Sequence, residues 1–171
     1  MLSRTVRTSP TTGIRIDSLL TAVLTAELVE PSRELWLVSP WISDVVVLDN
    51  TQGTFDGLFP EDPPRTCTFS QVLALLTERG ARLTLVTRPV EHNAQFVRNL
   101  CRLAGPADVP IVWAQDVHEK TFCGGEWILS GSMNFTVRGM AINDEAMTYV
   151  LGGTEAAQAR LELARRWRGQ A

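Results

Sequence analysis

The chain has 171 residues and a formal net charge of −3 at pH 7, a length that suits one domain with its own hydrophobic core. Its hydrophobic content of 44% is ordinary for a soluble protein, and no apolar run reaches the roughly 18 residues of a membrane span. The mild acidity disfavours a general nucleic-acid coat protein, although charge can still be concentrated locally. The 3 cysteines have no C-x-x-C spacing, which predicts a reducing, cytoplasmic location and no zinc site.

The first segments indicate an arm, a helix and a buried strand. Residues 1–12 are polar and predict a flexible arm. A helix is expected over 17–29, where Glu27 interrupts the apolar run and argues against a signal peptide. The continuous apolar run 35–42 is typical of a buried strand in a mainly parallel sheet. The loop 49–66 is rich in glycine and proline and should be irregular, with its aromatic residues packing as a lid or dimer contact.

The rest of the chain alternates between helices and strands. A capping-box pattern opens a helix at 68–80. The later predicted segments are a strand at 82–87, a helix at 91–104, strands at 109–117, 127–129 and 146–151, and a helix at 154–167. This alternation predicts a single α/β domain over residues 1–171, with a mixed, mainly parallel sheet sandwiched by helices.

Several polar residues of one C-terminal stretch share a regular spacing. His118 and Lys120 lie two apart, and so do Ser132 and Asn134 after the next apolar run, with Glu145 further on. Positions two apart in a strand point to one face. Two neighbouring strands would therefore present an imidazole, an ammonium, a hydroxyl and an amide together. That set is suited to gripping and attacking a phosphate.

This stretch resembles the phospholipase D superfamily, whose signature is H-x-K-x4-D followed by G-S-x-N and a later glutamate. The chain supplies His118-Glu119-Lys120, Gly131-Ser132-Met133-Asn134 and Glu145 in that order. One position departs from the signature, because Gly125 stands where the aspartate is expected. The resemblance implies a phospholipase D-like fold, and it implies a mainly structural role for the aspartate, near the turn between the two strands.

The chemistry of a phosphodiester assigns a role to each of these residues. His118 is expected to be the nucleophile or acid, since neutral imidazole exists near pH 7. Lys120 and Asn134 would clamp the phosphoryl oxygens, with Ser132 as a further donor. Glu145 would orient His118 by accepting its other N–H. No metal and no other cofactor is implied.

A second group of residues is expected to contact the substrate. Ser39, Trp41 and Ser43 follow the first predicted strand, at the end where α/β sheets place their sites. Arg88 ends the next strand, and Gly131 belongs to the motif. The alternative for Ser39 is that it only terminates its strand.

The mechanism uses two histidines, one attacking and one protonating. The chain contains 2, but His92 lies on a predicted helix without a lysine two residues later and is interpreted as a surface residue. The resemblance is closest to the small, single-motif bacterial endonucleases of the superfamily, which dimerise. It therefore implies a homodimer in which two copies of His118 form one composite site.

Three functions remain open on the sequence. The leading one is a metal-independent phosphodiesterase that cleaves DNA or RNA, and the resemblance extends to members of phage-defence and DNA-modification gene clusters, which implies a larger defence complex as a possible partner. A phospholipase is disfavoured because no helix with a basic membrane-binding face is visible, so no stable membrane association is expected. A non-catalytic subunit is supported by the missing aspartate and the acidic charge.

Overall fold

The computed structural model of the protein describes residues 2–8, 16–59, 61–152 and 154–169. The strands are β1 (Leu2–Thr8), β2 (Glu34–Val38), β3 (Val46–Asp49), β4 (Thr66–Thr68), β5 (Arg82–Thr87), β6 (Ile111–Trp113), β7 (Thr121–Cys123), β8 (Trp127–Gly131) and β9 (Glu145–Leu151). The helices are α1 (Asp17–Val29), α2 (Phe69–Glu78), α3 (Glu91–Ala104), α4 (Val137–Ala141) and α5 (Glu155–Trp167), with a 3-10 turn at Asp56–Leu58.

One large sheet carries most of the strands, in the order β1-β9-β8-β7-β2-β5-β6. The expected α/β class with a mixed sheet is confirmed, but the expectation of a mainly parallel sheet is wrong. Only β2–β5 and β5–β6 pair in parallel, whereas β1–β9, β9–β8, β8–β7 and β7–β2 are antiparallel. The reason is local, because β7, β8 and β9 follow one another without a crossover helix and so return as antiparallel neighbours.

Helices cover both faces of this sheet. Strand β2 is buried on both sides, so its residues alternate between two hydrophobic clusters. Leu35 and Leu37 face the larger cluster, which includes residues of α1, α2 and α3. Trp36 and Val38 face a smaller cluster that Leu163 and Trp167 of α5 complete. The sheet is therefore held between layers of helices, as the alternation in the sequence predicted.

The polar N-terminal residues are more ordered than expected. Residues 2–8 form edge strand β1, which pairs with the whole of β9, whereas residues 1 and 9–12 of the expected arm lie outside the described residues. The side chain of Val6 packs against the larger cluster, and the β-branched residues Thr5, Val6 and Thr8 favour a strand. The expectation of a flexible arm is therefore wrong for residues 2–8.

The predicted helices have the expected positions, but the short helix α4 was not predicted. The other differences fall in the strands. The expected strand 109–117 is limited to Ile111–Trp113, because a turn at 115–116 interrupts it. The irregular stretch 49–66 is flanked by the β3–β4 hairpin, which the sequence reasoning missed. Phe55 and Phe59 pack against the protein's own larger cluster.

Candidate active site

His118 and Lys120 lie in the irregular segment that leads into β7. The main chain of Lys120 already pairs with β8, since Gly131 N donates to Lys120 O at 3.2 Å. The ammonium of Lys120 donates to the carbonyl oxygen of His118 at 2.5 Å. The two residues are thus joined, and the neighbouring strands expected from the motif are the antiparallel pair β7 and β8.

Gly131 has a steric function at the end of β8. A Cβ atom at this position would lie 2.0 Å from the carbonyl oxygen of Ala146 and 2.9 Å from Cα of Met147. Both contacts are with the backbone of β9, which cannot move aside cheaply. The absence of a side chain therefore lets β8 and β9 approach closely, and this contact, rather than a bond to substrate, accounts for Gly131 in the structure.

Ser132 and Glu145 are brought together by this close approach. The hydroxyl of Ser132 donates to Glu145 Oε2 at 2.5 Å and accepts from the backbone N–H of Ala146 at 3.0 Å. The other carboxylate oxygen of Glu145 accepts from the side chain of Asn143 at 3.3 Å. Glu145 is thus held by Ser132, directly after β8, and by Asn143 in the loop before β9.

The edge strand β1 also contributes to the position of Glu145. Thr8 is buried, and its hydroxyl donates to the carbonyl oxygen of Asn143 at 3.1 Å. The same hydroxyl accepts from the backbone N–H of Glu145 at 3.1 Å. A residue of the expected flexible arm therefore fixes the backbone at the start of β9.

The partner of His118 in this chain is Arg88. A guanidinium nitrogen of Arg88 lies 3.2 Å from Nδ1 and 3.3 Å from Nε2 of His118, and its Nε donates to the carbonyl oxygen of Val117 at 3.1 Å. The guanidinium of Arg88 is therefore within hydrogen-bond distance of both ring nitrogens of His118. The expected hydrogen bond from His118 to Glu145 is not formed in the part of the chain that the structure describes, because Glu145 is bound to Ser132 and Asn143.

Asn134 lines a cavity of about 470 Å³ together with Trp41, Ser43, His92, Arg138 and Asn143, among others. Its Oδ1 is buried and has no hydrogen-bond partner among the described residues. A buried acceptor without a hydrogen-bond partner costs free energy. The Asn134 amide is therefore placed to accept from a donor outside this chain, or to reach a donor after a small shift of its side chain.

His92 is the residue that the sequence reasoning undervalued. Its side chain is exposed in the first turn of α3, as expected of a surface residue, but its Nε2 lies 3.0 Å from the hydroxyl of Ser43. Its ring packs against Trp41 with centroids 6.0 Å apart. No motif surrounds His92, so only the folded chain shows that it lies beside Asn134.

The expected substrate residues at the end of β2 have different roles. Ser39 is fully buried and donates to the carbonyl oxygen of Trp41 at 2.8 Å, so the expectation that it contacts substrate is wrong, and it shapes the turn instead. Trp41 is exposed and Ser43 half-buried, and both face the cavity with Asn134.

The turn at Gly125, where the signature has an aspartate, is held by other groups. The N–H of Gly125 donates to the hydroxyl of Ser32 at 2.6 Å. That hydroxyl donates to the buried carboxylate of Glu27 at 2.7 Å. On the other side, Arg160 donates to the carbonyl oxygens of Gly124 and Gly125.

The cysteine that follows the motif is not reactive at neutral pH. Burial raises the pKa of the Cys123 thiol to about 12, so this cysteine, three residues after Lys120, is not a thiolate nucleophile at neutral pH.

Over the described ranges no three His, Cys, Asp or Glu side chains are placed to hold a metal ion. The described helices include none that is long and apolar enough to cross a membrane.

The mixed α/β sheet thus carries the motif histidine, lysine, serine and glutamate at or next to the adjoining ends of β7, β8 and β9. The family described as "Cardiolipin synthase, PLD-like domain" matches residues 47–167. The chain therefore belongs to this PLD-like family within the phospholipase D superfamily. No curated protein matches the chain.

Solved structures show the same fold. Nuc, a phospholipase D family member from Salmonella typhimurium, is similar with a TM-score of 0.64 at 11% identity, over 99% of this chain and 96% of that one. NucT from Helicobacter pylori has a TM-score of 0.65 at 10% identity, with the same coverages of 99% and 96%. Polyphosphate kinase from Porphyromonas gingivalis has a TM-score of 0.63 at 14% identity, over 99% of this chain but 26% of that one.

Proposed function

We propose that the protein is a metal-independent phosphodiesterase that cleaves nucleic acid through a phosphohistidine at His118. The observation that carries the proposal is the continuous set of contacts between the motif residues. Lys120 binds the carbonyl of His118, the backbone of Lys120 pairs with Gly131, and the next residue, Ser132, binds Glu145. A phosphate beside this set would meet a nucleophile and several donors at once.

The reaction divides into two displacements. A ring nitrogen of His118 attacks the phosphorus and a P–N bond forms, while the P–O bond to the departing nucleoside breaks and its oxygen takes a proton from the imidazolium of the second copy's His118. Water then attacks the phosphorus and gives a proton back to that imidazole as the P–N bond breaks. Lys120 is exposed enough to leave the His118 carbonyl and neutralise the phosphoryl oxygens, and Asn134 supplies a further donor from its amide.

Retained catalysis is favoured over a purely structural subunit by the turn at Gly125. The missing aspartate is the departure that supports a non-catalytic chain. In this protein Ser32, Glu27 and Arg160 hold the same turn through its N–H and carbonyl groups, so its structural task is met without the aspartate. The loss of that residue therefore does not require the loss of activity.

A polymeric substrate is favoured by the surface that leads away from the site. The cavity at Asn134 shares Ser43 and His92 with a second cavity of about 620 Å³ along α3. Polar side chains such as Gln95, Asn99 and Arg102 line this second cavity. A polynucleotide would occupy both cavities with its phosphates, whereas the acyl chains of a phospholipid require an apolar surface.

The same proposal includes a homodimer, since two histidines act at one phosphate and the motif supplies one per chain. Two segments are candidates for the interface, the aromatic loop 55–59 and the segment 132–143 next to the motif. The loop at Phe55 packs onto its own core. The segment 132–143 exposes apolar side chains next to the site, Val137 at 57% and Ile142 at 47%. We therefore propose that the two-fold axis of the dimer lies near α4. The proposal also includes a cytoplasmic location for the enzyme. Membership of a phage-defence complex stays a prediction that co-purification would test.

The test is a panel of substrates in excess chelator. Wild type, His118→Ala and Lys120→Ala are each incubated with single-stranded DNA, duplex DNA, RNA and a short-chain phospholipid. The proposal predicts cleavage of a nucleic acid by wild type and a loss on the order of a thousandfold in both variants. Lipid hydrolysis alone would make the protein a phospholipase, and inactivity on every substrate would make it a non-catalytic subunit. His118→Ala protein that kept a tenth of the rate would remove His118 as the nucleophile.

A further inference from the structure

We propose that the substrate is single-stranded, and that its path runs from Asn134 past Trp41 and His92 and along α3 to Arg102. This inference rests on the proposed function and adds to it a strand class and a binding surface outside the motif. We call the surface the α3 groove and define it by Trp41, Ser43, His92, Gln95, Asn99 and Arg102. These residues line the two cavities that share Ser43 and His92.

Trp41 is a large aromatic side chain that the fold holds in solvent. It is 39% exposed, yet the backbone on both sides of it is fixed by the fully buried side chain of Asn93. The Asn93 amide donates to the carbonyl oxygen of Pro40 at 2.9 Å and accepts from the N–H of Ile42 at 3.1 Å. The indole is therefore presented on a rigid turn, so little conformational entropy is lost when a partner stacks on it.

His92 extends the aromatic surface and supplies a polar contact. Its ring meets Trp41 at an interplanar angle of 65°, so the two rings form a corner, not one flat plate. The Nε2 atom lies 3.0 Å from the Ser43 hydroxyl. The other ring nitrogen is therefore available to a phosphate or a base. This corner lies on the cavity that contains the motif residue Asn134, so a base held there would lie beside one of the proposed phosphate clamps.

Arg102 marks the far end of the α3 groove. From His92 to Arg102 the helix rises about 15 Å, which a stacked strand covers in about four nucleotides. Arg102 donates to Asn99 at 2.7 Å and forms no ion pair within the described ranges, so its charge is free for a phosphate. Asp44 also lies here, but its carboxylate accepts from Ser70 and Asn99 and is thereby turned to the protein.

The aromatic corner decides between single and double strands. In a duplex every base face is covered by its neighbours in the stack, so Trp41 could reach only the sugar and phosphates. Unpaired bases expose their faces, and proteins bind them by combining a cationic groove with aromatic side chains. The combination of Trp41, His92 and Arg102 along one groove has this form.

Binding is tested on the catalytically impaired His118→Ala protein, so that the oligonucleotide stays intact. The probes are labelled single strands of about 12 nucleotides, as DNA and as RNA, and a blunt duplex of the same length. We expect anisotropy to report tighter binding of a single strand, and Trp41→Ala to weaken it by about tenfold. Trp41→Phe keeps a ring and should stay within about threefold of the parent.

Two matched variants serve as controls. Trp113 is similarly exposed, at 43%, but lines a different cavity with Pro89 and Ala94, so Trp113→Ala should bind normally. Arg102→Gln should reduce the slope of log K against log salt by about 0.7. Arg65→Gln, in the exposed loop before β4, should leave that slope unchanged.

The outcomes separate the groove from the proposed reaction. Trp41-dependent binding of single strands, with cleavage by wild type, supports both. The same binding without cleavage by wild type supports the groove and refutes the proposed catalysis. Equal affinity for duplex, no effect of Trp41→Ala, or no binding of any probe overturns the groove. If wild type nevertheless cleaves and Trp41→Ala leaves KM unchanged, the groove fails while the proposed function stands.

Discussion

The hydroxyl of Ser132 donates a hydrogen bond of 2.5 Å to Glu145 and thereby joins the ends of β8 and β9. Asn143 occupies the other carboxylate oxygen, and Thr8 holds the backbone N–H of Glu145. In one chain, the glutamate of the motif therefore braces the G-S-x-N segment. His118 is contacted from a different direction, by Arg88.

This bond predicts that Ser132 and Glu145 act as a unit. Ser132→Ala leaves Glu145 without its shortest donor, and Glu145→Gln weakens the same contact, so each should lower kcat/KM by about tenfold or more. The kcat/KM of the double variant should be only slightly below that of the less active single variant, because the effects of substitutions in one hydrogen-bond network are not additive. Thr148→Val, also on β9, removes only an exposed bond to Thr5 of the edge strand β1, and it should keep full activity. Additive losses would show that the two residues act separately.

Gly131→Ala should destabilise the protein and reduce activity together. The new methyl group would collide with the Ala146 carbonyl, which is 2.0 Å from the Cβ position, so β8 and β9 must separate. We expect a loss of about 1–3 kcal/mol, as for other overpacked sites, measured by denaturant unfolding. Gly57→Ala is the control, because nothing lies within 4 Å of a Cβ there. Unchanged stability of Gly131→Ala would contradict the steric account of the motif glycine.

Restoring the family's aspartate should harm this protein. In Gly125→Asp the new Cβ would lie 3.2 Å from the Ser32 hydroxyl, and its carboxylate would enter the surroundings of the buried Glu27. Like charges in a partly desolvated site repel, so thermal unfolding should shift to lower temperature without a gain in activity. Gly169→Asp, at a site with open space, adds the same charge as a control. A more active Gly125→Asp would indicate that the departure from the signature had cost function.

The site could be predicted in part because its residues lie in short-range motifs. The spacing predicted that His118 with Lys120, and Ser132 with Asn134, lie on two adjacent strands. The structure instead puts the first pair just before β7 and the second pair just after β8, and these two strands do pair with each other. The roles of Thr8 and His92 could not be predicted in this way. Each reaches the site through pairing or packing between segments far apart in sequence, and no local pattern marks such contacts.

The helices were predictable for a related reason, since their apolar periodicity and caps are local. Gln71 accepts from the backbone N–H of Thr68 at 2.8 Å, as the capping-box pattern indicated. The direction of a strand is decided by its pairing with other strands. A short apolar run such as Thr121–Cys123 has the same residue pattern in parallel and antiparallel sheets. The polar edge strand β1 has no continuous apolar run, so its sequence indicated an arm and not a strand.

The homodimer predicts a specific result when two kinds of chain are mixed. Light scattering should give about twice the mass of the chain, which is 18.9 kDa. Heterodimers of wild type and His118→Ala should have little activity, because each holds one motif histidine at its composite site. Val137→Glu, on the exposed face of α4, should give monomers and the same loss. An active monomer, or heterodimers with half the normal turnover, would refute the composite site.

The central claim is that His118 forms a bond to phosphorus without a metal ion, and the covalent intermediate tests it most directly. Wild-type protein is mixed with a labelled oligonucleotide in excess chelator, quenched within the first turnover at alkaline pH to preserve a phosphohistidine, and digested for mass spectrometry. The account predicts one adduct, on the peptide that contains His118, and none with His118→Ala. An adduct on another residue, or cleavage that requires added magnesium and never yields an adduct, would contradict it.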